Sequence, residues 1–253
     1  MPRCVLIWIA LLGLPALSAE EAGRFAAQVK LEDNVKMAVD GFLPDGKKPA
    51  PVVVIAHGFT QSGAFHANQA RRLAKEGYVV LVPSLARFAN HAGHAKDLVA
   101  LLDWADRQRT DPTSPLHGRV RTDRASVCGH SAGGLSALLA ASADKRFRVL
   151  VLLDAVDWQG MGAKAAVGLK IPVLSVCAEP SEWNANGSPL KLAAAMPEPK
   201  RTVRIPGANH MDAQDPANRL GEWVVGKADP AKQARFTAEM VAWINKHLPE
   251  TPG

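Results

Sequence analysis

The sequence predicts an α/β fold in which a mostly parallel, twisted sheet carries helices on both faces. Three observations lead to this prediction. Short apolar runs alternate with segments of helical periodicity along the chain, which is the order that builds parallel sheets. The apolar runs are uninterrupted, as expected for strands buried on both faces. Polar residues follow directly after several of these runs, at the sheet edge where α/β proteins bind ligands.

Length and composition set the scale of the molecule. The chain has 253 residues, of which 47% are hydrophobic, enough to build one large core. No linker-like break or internal repeat divides it, so a single domain is predicted over residues 20–253. The net charge of +6 is spread in short blocks, which predicts no nucleic-acid partner.

Residues 1–19 have the pattern of a secretory signal peptide. Arg3 precedes an apolar run, and small residues up to Ala19 suit cleavage before Glu20. The alternative is an uncleaved membrane anchor, but the run is short for a full span. We therefore expect an exported protein, periplasmic or secreted, with no stable membrane anchor after cleavage.

The first half of the chain contains five predicted elements. Alternating apolar positions predict an edge hairpin over residues 24–43. Residues 51–56 and 78–83 are continuous apolar runs and are predicted to be central strands. Helical periodicity predicts helices over residues 61–76 and 94–109.

The middle of the chain is predicted as loop, strand, helix and strand. Residues 110–123 are polar and contain proline, which favours a loop. A buried strand is expected to begin at Arg124 and end before Ser131, and the Ala- and Leu-rich residues up to Ala141 favour a helix. Residues 148–153 form the next apolar strand.

The last part continues the alternation. Strands are predicted over residues 171–178 and 201–205, a short helix over residues 188–196, and a closing amphipathic helix over residues 231–248. The Gly- and Ala-rich segment 156–172 joins two strands and is too short for a large cap domain, so an open site is expected.

The segment Gly129-His130-Ser131-Ala132-Gly133 carries the strongest chemical signal. The pattern G-x-S-x-G between a strand and a helix places a serine on a tight turn, where only small neighbours fit. The following helix directs its N-terminus at the serine and favours the negative charge of acyl transfer. Ser131 is therefore the predicted nucleophile.

The predicted oxyanion hole uses two backbone N–H groups. One belongs to Ala132, the residue after the nucleophile, and the other to Phe59, in the loop after strand 51–56. His57 lies in the same loop, but a histidine in a His-Gly turn is more often structural than catalytic.

His210 is the predicted general base. It lies in a Gly-containing loop directly after the last strand. It also follows the nucleophile and the candidate acids in the chain, and the order serine, acid, histidine is the one this architecture uses.

The acid of the triad has four candidates. Asp154 is preferred because it directly follows a buried strand, where an unpaired carboxylate would be costly. Asp157 lies three residues further on and suits a turn-stabilising role. Glu179 and Glu182 follow the next strand, in a loop rich in Pro, Asn and Gly that favours solvent exposure. The sequence leaves all four candidates open.

Three aromatic residues are candidate walls of an open substrate cleft, namely Phe59, Trp158 and Trp183. His91 and His94 are three residues apart, but no third ligand accompanies them, so no metal site is predicted. No organic cofactor is expected. Cys128 and Cys177 both end apolar runs and are expected to be buried free thiols.

Taken together, these residues resemble the α/β-hydrolase superfamily, and within it the bacterial chlorophyllase-like and polyester-hydrolase (cutinase-like) branches. The resemblance rests on five segments, residues 57–60, 129–134, 153–157, 178–187 and 207–210. It implies an α/β-hydrolase fold without a large cap, and it places the chlorophyllase-like acid on Asp154. Ala155 stands where chlorophyllases usually have proline, and the position of the polyester-hydrolase acid offers only Glu179 or Glu182.

The expected function is an exported serine hydrolase that cleaves small or polymeric carboxylic esters through an acyl-enzyme. An amide or peptide hydrolase would use the same triad, and a non-catalytic binding protein on the same scaffold is the alternative from another class. The natural ester and the oligomeric state are not indicated by the sequence.

Overall fold

A computed structural model describes residues 23–32 and 34–248 of the chain. The predicted signal peptide, residues 1–19, lies outside the described residues. One eight-stranded sheet has the order β1-β2-β4-β3-β5-β6-β7-β8. Its strands are β1 Arg24–Lys30, β2 Lys36–Phe42, β3 Ala50–Ala56, β4 Val79–Ser84, β5 Val120–His130, β6 Phe147–Leu153, β7 Val173–Cys177 and β8 Lys200–Arg204.

Seven α-helices connect or cover these strands. They are α1 Ala67–Lys75, α2 His91–Gln108, α3 Ala132–Ala143, α4 Met161–Ala166, α5 Ser188–Ala195, α6 Arg219–Val225 and α7 Pro230–His247. Three short 3₁₀ turns complete the described secondary structure, at Gly63–His66, Glu182–Asn184 and His210–Ala213.

The strand pairing confirms the predicted mostly parallel sheet and its edge hairpin. Strands β1 and β2 pair antiparallel, and β2 also pairs antiparallel with β4. All pairs from β4 through β3 to β8 are parallel. The carboxyl ends of β3, β5, β6, β7 and β8 therefore meet, in that order, along one edge of the sheet.

The core lies on both faces of the sheet. Every residue of β3 is buried, and its side chains alternate between the faces. Val52 and Val54 pack in the layer formed with α2 and α3. Val53 and Ile55 pack in the layer that contains α1 and α7. Burial on both faces is why this strand is an uninterrupted apolar run.

Several boundaries and one helix differ from the predictions. Helix α1 begins at Ala67, after the 3₁₀ turn Gly63–His66, although a helix was expected from residue 61. Strand β5 begins at Val120, inside the predicted loop 110–123, and its register against β3 shifts between Pro51 and Val52. Helix α2 begins at His91, because the side chain of Asn90 accepts a hydrogen bond from the Gly93 N–H at 2.8 Å and caps it. Helix α6 was not predicted.

The connection from β6 to β7 holds only the six-residue helix α4. This agrees with the predicted absence of a large cap at that point of the chain. Among the described helices, none is long and apolar enough to cross a membrane.

Candidate active site

Ser131 occupies a strained turn between β5 and α3. Its backbone angles are φ 54° and ψ −124°, a region that L-residues rarely adopt. The turn is possible because its flanking residues are glycines. A Cβ on Gly129 would lie 2.3 Å from the carbonyl oxygen of Gly133, and one on Gly133 would lie 2.3 Å from that of His57. The strain holds the serine side chain clear of the sheet, at the N-terminus of α3.

Hydrogen bonds join Ser131, His210 and Asp154 in an unbroken chain. The Nδ1 atom of His210 lies 2.6 Å from Oδ2 of Asp154, and its Nε2 atom lies 2.9 Å from Oγ of Ser131. A carboxylate only accepts hydrogen bonds, so Nδ1 carries the proton and Nε2 accepts the serine hydroxyl. The structure thus brings together the three residues that the sequence suggested for nucleophile, base and acid.

Asp154 is fully buried at the end of β6, with φ 45°. Its Oδ1 atom accepts the backbone N–H of Ala178 at 2.9 Å. The side-chain amide of Asn184 lies 3.2 Å from Oδ2 and 3.4 Å from Oδ1. A buried carboxylate is costly unless it is paired. The contacts with Ala178 and Asn184, together with the hydrogen bond from His210, supply that pairing.

The other candidate acids are engaged elsewhere. Asp157 accepts the N–H groups of Gly162 at 2.7 Å and Ala163 at 3.2 Å, at the start of α4. Glu179 pairs with Arg204 and accepts the Gly207 N–H at 3.1 Å.

The hydrogen bond from Arg204 lowers the pKa of Glu179, with a smaller contribution from the backbone of Gly207. Glu182 is exposed to solvent. None of these three carboxylates bonds to His210 within the described residues.

A capped 3₁₀ turn holds His210 in place. The side chain of Asn209 accepts the Met211 N–H at 2.7 Å, and that of Asp212 accepts the Asn209 N–H at 2.7 Å. From behind, the ring of His130 bonds to the backbone carbonyl of His210 at 3.1 Å. Sequence reasoning missed His130. Its only signal was a polar residue at the end of a buried strand, next to the serine.

The histidines behind the site are neutral. Burial lowers the pKa of His130 well below its usual value, and the neighbouring His210 lowers it further. Burial also lowers the pKa of His57. The Nε2 atom of His57 accepts the Leu85 N–H at 2.7 Å, and its Nδ1 lies 2.7 Å from the carbonyl oxygen of Gly58. His57 therefore braces the loop after β3 instead of facing the serine.

The two predicted oxyanion-hole residues line one cleft. Phe59 and Ala132 both border a cleft of about 150 Å³. The loop that carries Phe59 packs against the nucleophile, since a Cβ on Gly58 would lie 3.2 Å from the Cβ of Ser131. Within the described part of the chain, neither the Phe59 nor the Ala132 N–H has a protein acceptor, so both are free to bind an oxyanion.

Exposed aromatic side chains lie in the loops that follow β3, β4, β6 and β7. Phe59 is 47% exposed, and its ring lies 5.0 Å from that of Phe88, which is 80% exposed. Phe88 borders the same cleft and was not predicted, because its loop has no periodic pattern. Trp158 and Trp183 are also exposed, after β6 and β7, but they do not line this cleft. Their contact with substrate stays a prediction.

Neither cysteine belongs to the hydrogen-bonded chain of Ser131, His210 and Asp154. Cys128 and Cys177 are buried free thiols on β5 and β7, which β6 separates. Burial raises the pKa of each to about 12, which keeps them protonated and unreactive. Within residues 23–32 and 34–248, no three His, Cys, Asp or Glu side chains are grouped to hold a metal ion.

Comparisons with known proteins agree with this architecture. The crystal structure of dienelactone hydrolase from Anabaena variabilis superimposes with a TM-score of 0.66 at 19% sequence identity, over 89% of this chain and 98% of that one. This similarity confirms the α/β-hydrolase fold. The sequence profile of the PET hydrolase-like proteins matches residues 44–239. The chain therefore belongs to the PET hydrolase-like family of the α/β-hydrolase superfamily.

Proposed function

We propose that this protein is an exported serine hydrolase that cleaves carboxylic esters through an acyl-enzyme intermediate. The observation that carries the proposal is the hydrogen-bonded chain from Ser131 through His210 to Asp154, with contacts of 2.9 and 2.6 Å. Export rests on residues 1–19, and mass spectrometry of the N-terminus of the secreted or periplasmic protein is the measurement that tests it.

The geometry supports the following steps. The Nε2 atom of His210 takes the hydroxyl proton as Ser131 Oγ attacks the ester carbonyl. The carboxylate of Asp154 stabilises the imidazolium that forms. The N–H groups of Phe59 and Ala132 bind the oxyanion, aided by the N-terminus of α3. His210 then protonates the leaving alcohol, and water repeats the cycle on the acyl-enzyme.

The family supports an ester as the substrate class, either small or polymeric. The short β6–β7 connection leaves the site without a large cap at that point, which suits bulky or extended esters. An amide hydrolase would use the same groups. A screen over acyl esters of increasing length, polyesters and simple amides separates these substrate classes.

The proposed function requires the hydroxyl of Ser131 as the nucleophile. Ser131→Ala removes the attacking oxygen, so turnover of p-nitrophenyl acetate and labelling by a fluorophosphonate probe should both disappear while the circular dichroism spectrum is unchanged. Ser62→Ala is the matched control, because the Ser62 side chain caps nothing. Wild-type turnover in the Ser131 variant would end the proposal, and a wild-type protein that the probe cannot label would favour a non-catalytic binding protein.

A further inference from the structure

Asn184 is a fully buried polar side chain in the loop between β7 and α5. Its Oδ1 atom accepts the backbone N–H groups of Ser181 at 2.9 Å and Gly187 at 3.1 Å. Its Nδ2 atom donates to the carbonyl oxygen of Glu179 at 2.8 Å and to the carboxylate of Asp154. An amide has two acceptor sites and two donor protons, so its hydrogen-bonding capacity is fully used.

This network fixes which way the amide points. The N–H groups of Ser181 and Gly187 can only donate, so they must face Oδ1. The amide nitrogen therefore has to face Asp154. Among the described residues, His210 and Asn184 are the two side chains that bond to the Asp154 carboxylate. His210 bonds to Oδ2, and the amide nitrogen of Asn184 lies within hydrogen-bond distance of both oxygens.

The loop backbone is bent sharply to bring Asn184 there. Ala185, Asn186 and Gly187 have successive φ values of 51°, 51° and 85°. Left-handed conformations cost energy in residues other than glycine and persist only where the surroundings impose them. The N–H of Asn186 closes the turn on the carbonyl oxygen of Ser181 at 2.7 Å. The turn is thus built around the buried amide.

An amide is the side chain that this position requires. A carboxylate here would repel Asp154, and an apolar side chain would leave buried N–H groups and the carboxylate short of partners. We infer that Asn184 is a positioning residue for the acid of the proposed triad, because it holds the Asp154 carboxylate in the rotation that presents Oδ2 to His210. The inference rests on the proposed function.

The test separates the two halves of the amide. Asn184→Asp keeps an acceptor for the loop N–H groups but replaces the amide donor by a carboxyl group beside that of Asp154, and two carboxyl groups this close share a proton, so Asp154 is no longer fully ionised near neutral pH. We expect kcat for p-nitrophenyl acetate to fall about 10- to 100-fold, with KM little changed. The acid limb of the pH–rate profile should move to higher pH, since Asp154 becomes fully ionised only when the carboxyl pair loses its shared proton.

A neighbouring substitution supplies the control. Asn186→Gly lies in the same turn, is exposed, and suits the left-handed backbone there. It should keep the wild-type kcat and pH profile. A folded Asn184→Asp protein with wild-type kcat and an unshifted profile would show that Asn184 only shapes the loop, and the inference would be wrong.

A measurement on the wild-type protein tests, without any substitution, whether Asn184 is coupled to Asp154 and His210. In an NMR pH titration, the side-chain amide signals of Asn184 should move with the same midpoint as the ring signals of His210. Amide signals that do not respond would overturn the inference. If the wild type neither hydrolyses esters nor reacts with a fluorophosphonate, the proposed function fails, and the titration still reports whether Asn184 senses the pair of Asp154 and His210.

Discussion

At the scale of single residues, the Asp154 carboxylate depends on three partners from two other segments of the chain. His210 follows β8, while Ala178 and Asn184 follow β7. The role proposed for Asp154 is to orient the His210 ring and to stabilise its imidazolium form. Glu179 has no such contact and is occupied by Arg204 at the surface.

This difference gives a prediction about the acid. Asp154→Asn should lower kcat by about 10⁴-fold, because an amide can donate to Nδ1 and favour the wrong tautomer of His210. Glu179→Gln and Glu182→Gln should stay close to wild type. The measurement is steady-state hydrolysis of p-nitrophenyl acetate by the three folded variants. A collapse in either glutamate variant, with Asp154→Asn still active, would place the acid after β7.

The residues that sequence reasoning found and missed differ in a physical way. Ser131 stands in a short motif, Asp154 directly follows an apolar strand, and His210 lies in the Gly-containing loop after the last strand, so local pattern reveals them. Asn184 and Phe88 lie in loops without periodicity. Asn184 contacts Asp154, which lies 30 residues earlier in the chain, and Phe88 faces the cleft only because the loop after β4 meets the loop after β3. Such tertiary contacts leave no trace in local sequence.

At the scale of elements, the turn between β5 and α3 leaves no room for larger side chains. Gly133 lies in the first turn of α3 and packs against the end of β3. The added Cβ of an alanine would lie 2.3 Å from the carbonyl oxygen of His57. The segment that contains His57 also carries the Phe59 N–H. Helix α3 and the proposed oxyanion loop therefore cannot move apart without disturbing the site.

A glycine substitution tests this packing. Gly133→Ala should lower the free energy of unfolding by about 2 kcal/mol or more, because two backbones must move apart. Urea denaturation monitored by circular dichroism measures the change. Gly168→Ala is the matched control, since a Cβ there would meet nothing within 4 Å. Equal free energies of unfolding for the two variants would show that Gly133 is not crowded by the end of β3.

The elements that were missed lack the usual patterns. The first residues of β5 include Arg121 and Asp123, whose charges favour a loop, and they lie where the register against β3 shifts. Helix α6 has no buried residue, so it has no apolar face turned to the core. It is held through Gly221, which packs against Met211 in the turn after His210. Periodicity could not reveal either feature.

At the scale of the whole molecule, burying neutral histidines links stability to pH. Burial lowers the pKa of His66 to about 4, although its hydrogen bond with Gln69 opposes the shift. In the unfolded chain the ring of His66 takes up a proton near pH 6.5, whereas in the folded protein it does so only at about pH 4. The unfolded state binds more protons between these values, so the free energy of unfolding falls as the pH falls through this range.

A substitution at His66 isolates its share of this effect. Between pH 7 and pH 5, His66→Gln should lose about 2 kcal/mol less stability than the wild type, because glutamine does not titrate. Urea denaturation at each pH gives the comparison. His117→Gln, at an exposed ring, should follow the wild type. An unchanged pH dependence in His66→Gln would show that this histidine is not the source.

The sheet order constrains the length of one surface loop. Strand β8 lies three strands away from β5, roughly 14 Å at ordinary strand spacing. The chain from Arg204 must cross this span to bring His210 to Ser131, and its six steps reach about 20 Å when fully extended. A turn closed by Ala208 and Ile205 uses part of that reach. Surface loops usually accept insertions and deletions, but here each residue lost would use up part of a margin of only about 6 Å between reach and span.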